Sequence, residues 1–172
     1  GKRLAFQATD IIPARSGRVR AATLWFWRDV SSGETLELRL VHAQRNRKPK
    51  AALRCTRTRK AVTLANEQIR IKLPASQRFR KPRPAPDVPG PLLGFGRPGQ
   101  PWIGASRWEA ALACRRIETQ ILAQGPLWIE AEVRFCFEHD AAYAMRLCLY
   151  ADHDFVVLDE RPALREIGRA HV

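Results

Sequence analysis

Two histidines and three acids stand in neighbouring turns near the end of the chain: His139 and Asp140, then Asp152, His153 and Asp154. Imidazole and carboxylate within reach of one another can ligate a metal or relay a proton. One strand of an antiparallel meander separates these two turns, which puts them at opposite ends of a sheet. Asp and His at such places ordinarily serve backbone hydrogen bonds. No metal and no cofactor is therefore expected. The chain has no G-x-S-x-G, H-E-x-x-H, P-loop or dinucleotide fingerprint, and Gly94-Phe95-Gly96 is a lone G-x-G that does not follow a strand. The cysteines, Cys55, Cys114, Cys136 and Cys148, form no C-x-x-C pair. Free thiols are expected, with a Cys136–Cys148 bridge open only if their strands place them side by side.

The remaining chemistry-bearing residues are cations and indoles. The chain of 172 residues carries a net charge of +13, with 24 of its 30 cations arginine. Through Arg83 there are 21 basic against 5 acidic residues, a net of +16; from Pro84 onward 9 basic face 12 acidic, a net of −3. The peak is Arg45, Arg47, Lys48, Lys50, Arg54, Arg57, Arg59 and Lys60. Such a run attracts polyanions, whether nucleic acid, anionic lipid or acidic polysaccharide, or is simply a solvated arginine-rich face. Single-strand nucleic-acid binders interleave stacking aromatics with their cations, yet no Phe, Tyr or Trp occurs between Leu40 and Arg78. Of the five tryptophans, Trp25 and Trp27 read as core or sheet-surface packing. Trp102 and Trp108, with Arg107 between them, flank a loop and read as site-lining residues able to stack on a sugar ring. The candidate ligand-binding residues are thus Trp102, Arg107, Trp108, Arg54, Arg57 and Arg59.

Positioning these residues falls to strands. In 127–138 (LWIEAEVRFCFE), Ile129, Ala131, Val133, Phe135 and Phe137 share one face while Glu130, Glu132, Arg134 and Glu138 share the other, a period of two. The segments 142–150 and 154–159 follow after short turns and complete an antiparallel meander. The same alternation predicts strands over 19–26, over 35–41 after an S-S-G-E turn that pairs the two, and over 67–73. In 107–124, Trp108, Ala111, Leu112 and Arg115 fit a helix turn, whereas Ile117, Thr119 and Ile121 alternate and favour a strand. Residues 74–101 hold eight of the chain's 12 prolines and predict a long surface excursion, with 92–102 a candidate lid or docking segment. The expected fold is all-β, an antiparallel sandwich or open barrel in one domain over residues 1–172. No stretch approaches the ~20 apolar residues of a membrane span. The first residue is Gly1 and the one methionine is Met145, which suggests a processed product or a piece of a larger protein.

Ser16-Gly17-Arg18-Val19-Arg20 through Trp25-Phe26, then Val30-Ser31-Ser32-Gly33-Glu34-Thr35 and Leu38 to Leu40, resembles the opening β domain of exo-rhamnogalacturonan lyase-like proteins, approximately D-G-S-V-R-W, a strand and V-x-A-G-E-T. Gly125-Pro126-Leu127-Trp128, Arg146 to Ala151 and Asp154 to Val157 resemble that family's G-P-V-R-A strand and its L-T-F-Y-A-G-S-x-x-V-x-V ending, and Leu64-Ala65-Asn66-Glu67 its short turn into an I-x-V strand. The likeness touches about two thirds of the chain. Arg18, Ala21, Leu127 and Trp128 depart from the pattern. The resemblance implies the front, non-catalytic β domain of a polysaccharide lyase-like protein. The lyase chemistry would sit in a following α-helical domain, and no catalytic residue carries over. Its partners would be an acidic polysaccharide and that catalytic domain, with nucleic acid the competing polyanion. The arginine excess would then have a use, because a guanidinium fork grips a uronate carboxylate bidentately.

Overall fold

The computed structural model describes residues 4–40 and 52–163. Arg45, Arg47, Lys48 and Lys50 of the basic run, and Val41, lie outside the described residues. The fold is all-β and antiparallel, in three sheets. Strands β1 (Phe6–Pro13) and β2 (Val19–Phe26) make a two-stranded hairpin. Strands β3 (Arg54–Arg57), β4 (Ala61–Ala65) and β5 (Arg70–Pro74) join β7 (Gly94–Gly96) in a four-stranded sheet of order β3-β4-β5-β7. Strands β6 (Gln77–Pro84), β8 (Ala113–Gln124), β9 (Trp128–Phe137), β10 (Ala142–Tyr150) and β11 (Val156–Ala163) form a five-stranded sheet of order β11-β10-β9-β8-β6.

The meander follows its sequence. Ile129, Ala131, Val133, Phe135 and Phe137 are buried, as are Tyr143, Met145, Leu147 and Leu149 on β10. They share one core with Val62, Leu64, Ile71 and Leu73 of the smaller sheet, so the two sheets pack face to face in the manner of a sandwich. The ambiguous stretch before Gln124 resolves as strand β8, with Ile117 and Thr119 turned inward.

Two side-chain amides fasten the parts. Asn66, 6% exposed, donates from Nδ2 to the carbonyls of Tyr150 (2.7 Å) and His153 (2.6 Å), while its Oδ1 accepts from the amides of Gln68 and Ile69. It ties the β4–β5 turn to the β10–β11 turn. Gln7, equally buried, accepts at Oε1 from the amides of Leu127 (3.2 Å) and Trp128 (3.0 Å), and Trp25 meets Trp128 edge-on at 5.8 Å. These contacts seat the hairpin on the end of the large sheet.

Two expectations are corrected. Residues 35–40 form no strand, and β2 pairs instead with β1, from Phe6↔Phe26 to Pro13↔Val19 with register shifts on either side of Ile12. The alternating leucines of 35–40 face no partner strand among the described residues, and Leu40 is 77% exposed. The S-S-G-E turn itself is present: the Glu34 carboxylate accepts from the Ser31 amide and pairs with Arg28 at 3.0 Å. Nor is 74–101 a surface excursion. It includes the edge strands β6 and β7, and Pro82 and Pro84 are accommodated because β6 lies at the edge of the large sheet. Ala85 and Val88 are buried, and the Ser106 hydroxyl accepts from the Leu92 amide at 2.8 Å while the Ser106 amide donates to the Leu92 carbonyl. A side chain at Gly90 would overlap the Ser106 carbonyl oxygen, so the two backbones touch.

Candidate functional site

Because strand side chains alternate, burying Val62, Leu64, Ile71 and Leu73 sends their neighbours to the other face of the small sheet. Register then sets the rows. Arg54, Ala65, Arg70 and Gly96 lie opposite one another in one row, and Thr56, Thr63, Lys72 and Gly94 in the next. With strands spaced ~4.8 Å apart, the Arg54 and Arg70 backbones are separated by about 10 Å across this face.

Over it lies Trp102. Beyond β7 the chain turns back at Gly99 and returns through Ile103, which exchanges backbone hydrogen bonds with Phe95 at 2.9 and 3.0 Å. Glycine is required beneath the returning chain. A Cβ on Gly96 would stand 2.8 Å from the Pro101 carbonyl oxygen, and one on Gly94 would crowd Trp102. The Arg70 guanidinium carbon sits 4.0 Å from the Trp102 ring centre and the Lys72 ammonium 5.6 Å from it, so both cations meet the negative face of the indole. Arg70 also donates through Nη2 to the Gln100 carbonyl, and its Nε is buried with no hydrogen-bond partner. Among the described residues, no ion pair involves Arg54, Arg57, Arg59, Lys60, Arg70 or Lys72. What the face offers is fixed positive charge, two threonine hydroxyls and a flat aromatic ring. Chemically, such a combination can pair with an anion and can stack on an apolar ring face.

The six residues singled out from the sequence divide. Arg54 and Trp102 belong to this face, whereas Arg57 is in register with the core-facing Val62 and, like Arg59 in the following turn, is exposed at the β3 end of the small sheet. Trp108 is elsewhere: it plugs the core, edge-on to Phe135 (4.9 Å), Tyr143 (5.0 Å) and Phe137 (5.3 Å), and donates from Nε1 to the Pro89 carbonyl at 3.2 Å. Arg107 beside it is exposed and makes no ion pair among the described residues. Arg70 and Lys72 are the residues that sequence reasoning passed over. They alternate with Ile69, Ile71 and Leu73 along the strand expected over 67–73, and nothing in that spacing announces that Trp102 folds over them.

The His and Cys clusters resolve without a site. His139 (φ 57°) and Asp140 (φ 58°) make the tight β9–β10 turn, and His153 packs edge-on against Phe155 at 4.9 Å in the opposite turn. Among the described residues, no three His, Cys, Asp or Glu are grouped to hold a metal. All four cysteines are free: Cys136 lies opposite Ala142 and Cys148 opposite Glu130, far out of bridging register. Burial pushes the Cys114 thiol up to about 11, with a lesser lowering effect from a backbone hydrogen bond of Arg116. Burial raises Tyr143 as well, reinforced by the hydrogen bond its hydroxyl donates to Glu160 at 2.6 Å. No protein-family description, no curated protein and no solved structure matches the chain.

Proposed function

We propose that the chain is a non-catalytic β domain of a carbohydrate-active, polysaccharide lyase-like protein, and that the outer face of its small sheet holds an acidic glycan. The observation that carries this reading is Trp102 lying against Arg70 and Lys72, with Arg54 in the same row as Arg70 and no acid paired to any of them among the described residues. A uronate has the two features this face complements, a carboxylate for a guanidinium fork and an apolar ring face for an indole. The hairpin supports the idea of a domain that packs on another. Phe6, Leu24 and Phe26 project from one of its faces and are each more than a third exposed, an apolar surface for a following catalytic domain.

Calorimetric titration with oligogalacturonate, a neutral oligosaccharide of the same length and duplex DNA, at two salt concentrations, tests the proposal. The acidic sugar should bind and the neutral one should not. Trp102→Ala and Arg70→Gln should each weaken binding by about tenfold or more, the scale of a lost charge-assisted contact. Duplex DNA should bind only weakly and non-specifically, on the order of 10⁻⁴ to 10⁻⁶ M at physiological salt. Tight DNA binding that survives about 0.2 M salt would assign the face to nucleic acid instead.

A further inference from the structure

A second basic site lies away from the glycan face, where β6 meets β8. The two strands pair at Gln77↔Ile117 and Arg78↔Arg116, then again only at Arg83↔Cys114 and Pro84↔Ala113, so residues 79–82 bow outward against Arg115 alone. On its other side β8 carries a bulge against β9, between Cys114↔Phe137 and Arg116↔Cys136, which makes Arg115 the extra residue. In a regular strand two consecutive side chains point to opposite faces. The bulge removes that constraint, and Arg115 and Arg116 both line one cleft. Arg78 and Arg80 line it from β6, Cys136 contributes to its wall, and Asp140 is its only acidic residue among the described residues. The volume is about 670 Å³, within the ordinary size of a small-molecule site.

Two features mark this cleft as built for an anion. Arg78 and Arg116 stand directly opposite in the ladder, a like-charge cross-strand pair that costs stability unless something negative lies between. Among the described residues, Arg78, Arg80 and Arg115 have no ion pair. Arg116 has only Glu118 at 3.4 Å, with its Nε turned to the Cys136 sulfur at 3.3 Å. We propose that the β6–β8 cleft binds a compact anion carrying two or more oxyanion groups, phosphate or carboxylate, held by guanidinium forks from both strands. This site shares no residue with the Trp102 face and stands or falls separately from the acidic-glycan reading.

The test is titration of the full chain with inorganic pyrophosphate and with citrate, read by calorimetry and by thermal melting, on the natural chain and on Arg78→Gln, Arg80→Gln and Trp102→Ala. At least one anion should bind and raise the melting temperature, and which one is preferred names the source of the oxyanions. Arg78→Gln should weaken binding by about tenfold or more yet leave the unliganded protein as stable or more stable, because it removes the facing like charge. That divergence would not arise from a merely structural arginine. Arg80→Gln, in the bowed segment, should weaken binding with little effect on melting, and Trp102→Ala should leave it unchanged. No heat and no melting shift with either anion at millimolar concentration, or binding indifferent to both arginine substitutions, would overturn the proposal.

Discussion

Cys114 shows how one buried group writes itself into the pH dependence of the whole. Its thiol ordinarily ionises near 9.0 and is pushed up to about 11 in the fold, where desolvation penalises the thiolate. Between those values the unfolded chain has released a proton that the folded chain retains, so stability falls as pH rises. The contribution is complete below pH 9 and is lost as pH climbs through 11. Tyr143, also raised, acts in the same direction at still higher pH. Urea unfolding at stepped pH should show the decline beginning near 9, and Cys114→Ala should delay it while lowering stability at neutral pH by leaving a small void. Glu34 behaves oppositely. The Ser31 amide and the Arg28 guanidinium hold its carboxylate below the usual range, so the 28–34 turn should loosen as pH falls through that lowered value, visible as faster amide exchange at Ser31.

At the level of elements, the hairpin's attachment rests on one tight approach. A Cβ at Gly125 would overlap Cδ and Oε1 of Gln7, and that Oε1 accepts from both the Leu127 and Trp128 amides. Gly125→Ala should therefore expel the Gln7 amide and cost about 1–3 kcal/mol, the price of two buried donors left unpaired. In the Gln7→Ala background the same substitution should cost less, and a double-mutant cycle on denaturant unfolding reads the difference. This attachment is also where the sequence is least legible. Asp10 adopts φ 50° and the β1–β2 register shifts between Thr9 and Ile12, so Phe6–Pro13 never displays a clean period of two. The leucines of 35–40 do display one, but alternation states only which face is apolar and not whether a partner strand is present. Ile129 to Phe137 could be read correctly because their partners follow at hairpin distance and one face must be buried. The candidate site was half legible for a related reason: residue type pointed to Arg54 and Trp102, whereas Arg70 and Lys72 join them through a β5–β7 pairing across more than twenty residues.

Across the whole molecule, the two packed sheets turn different chemistries outward. Among the described residues the small sheet shows cations without ion pairs, whereas the large sheet shows a charge ladder in which Arg146 meets Glu130 at 3.6 Å and Glu132 at 3.4 Å, and Arg161 meets Asp159. Because Arg146 and Arg161 already have carboxylate partners, this face of the large sheet should bind anions less well than the small-sheet face or the β6–β8 cleft. The Asn66 amide joins two turns that are 84 and 87 residues apart in sequence, and its hydrogen bonds cannot exist until both sheets are formed and docked. Its contribution therefore arrives late on the folding path, after the locally connected meander has closed. Asn66→Ala should accordingly leave the refolding rate nearly untouched and speed unfolding by most of its stability loss, a φ-value near zero in stopped-flow chevrons. What one amide secures is the lifetime of the assembled domain rather than the speed with which it assembles.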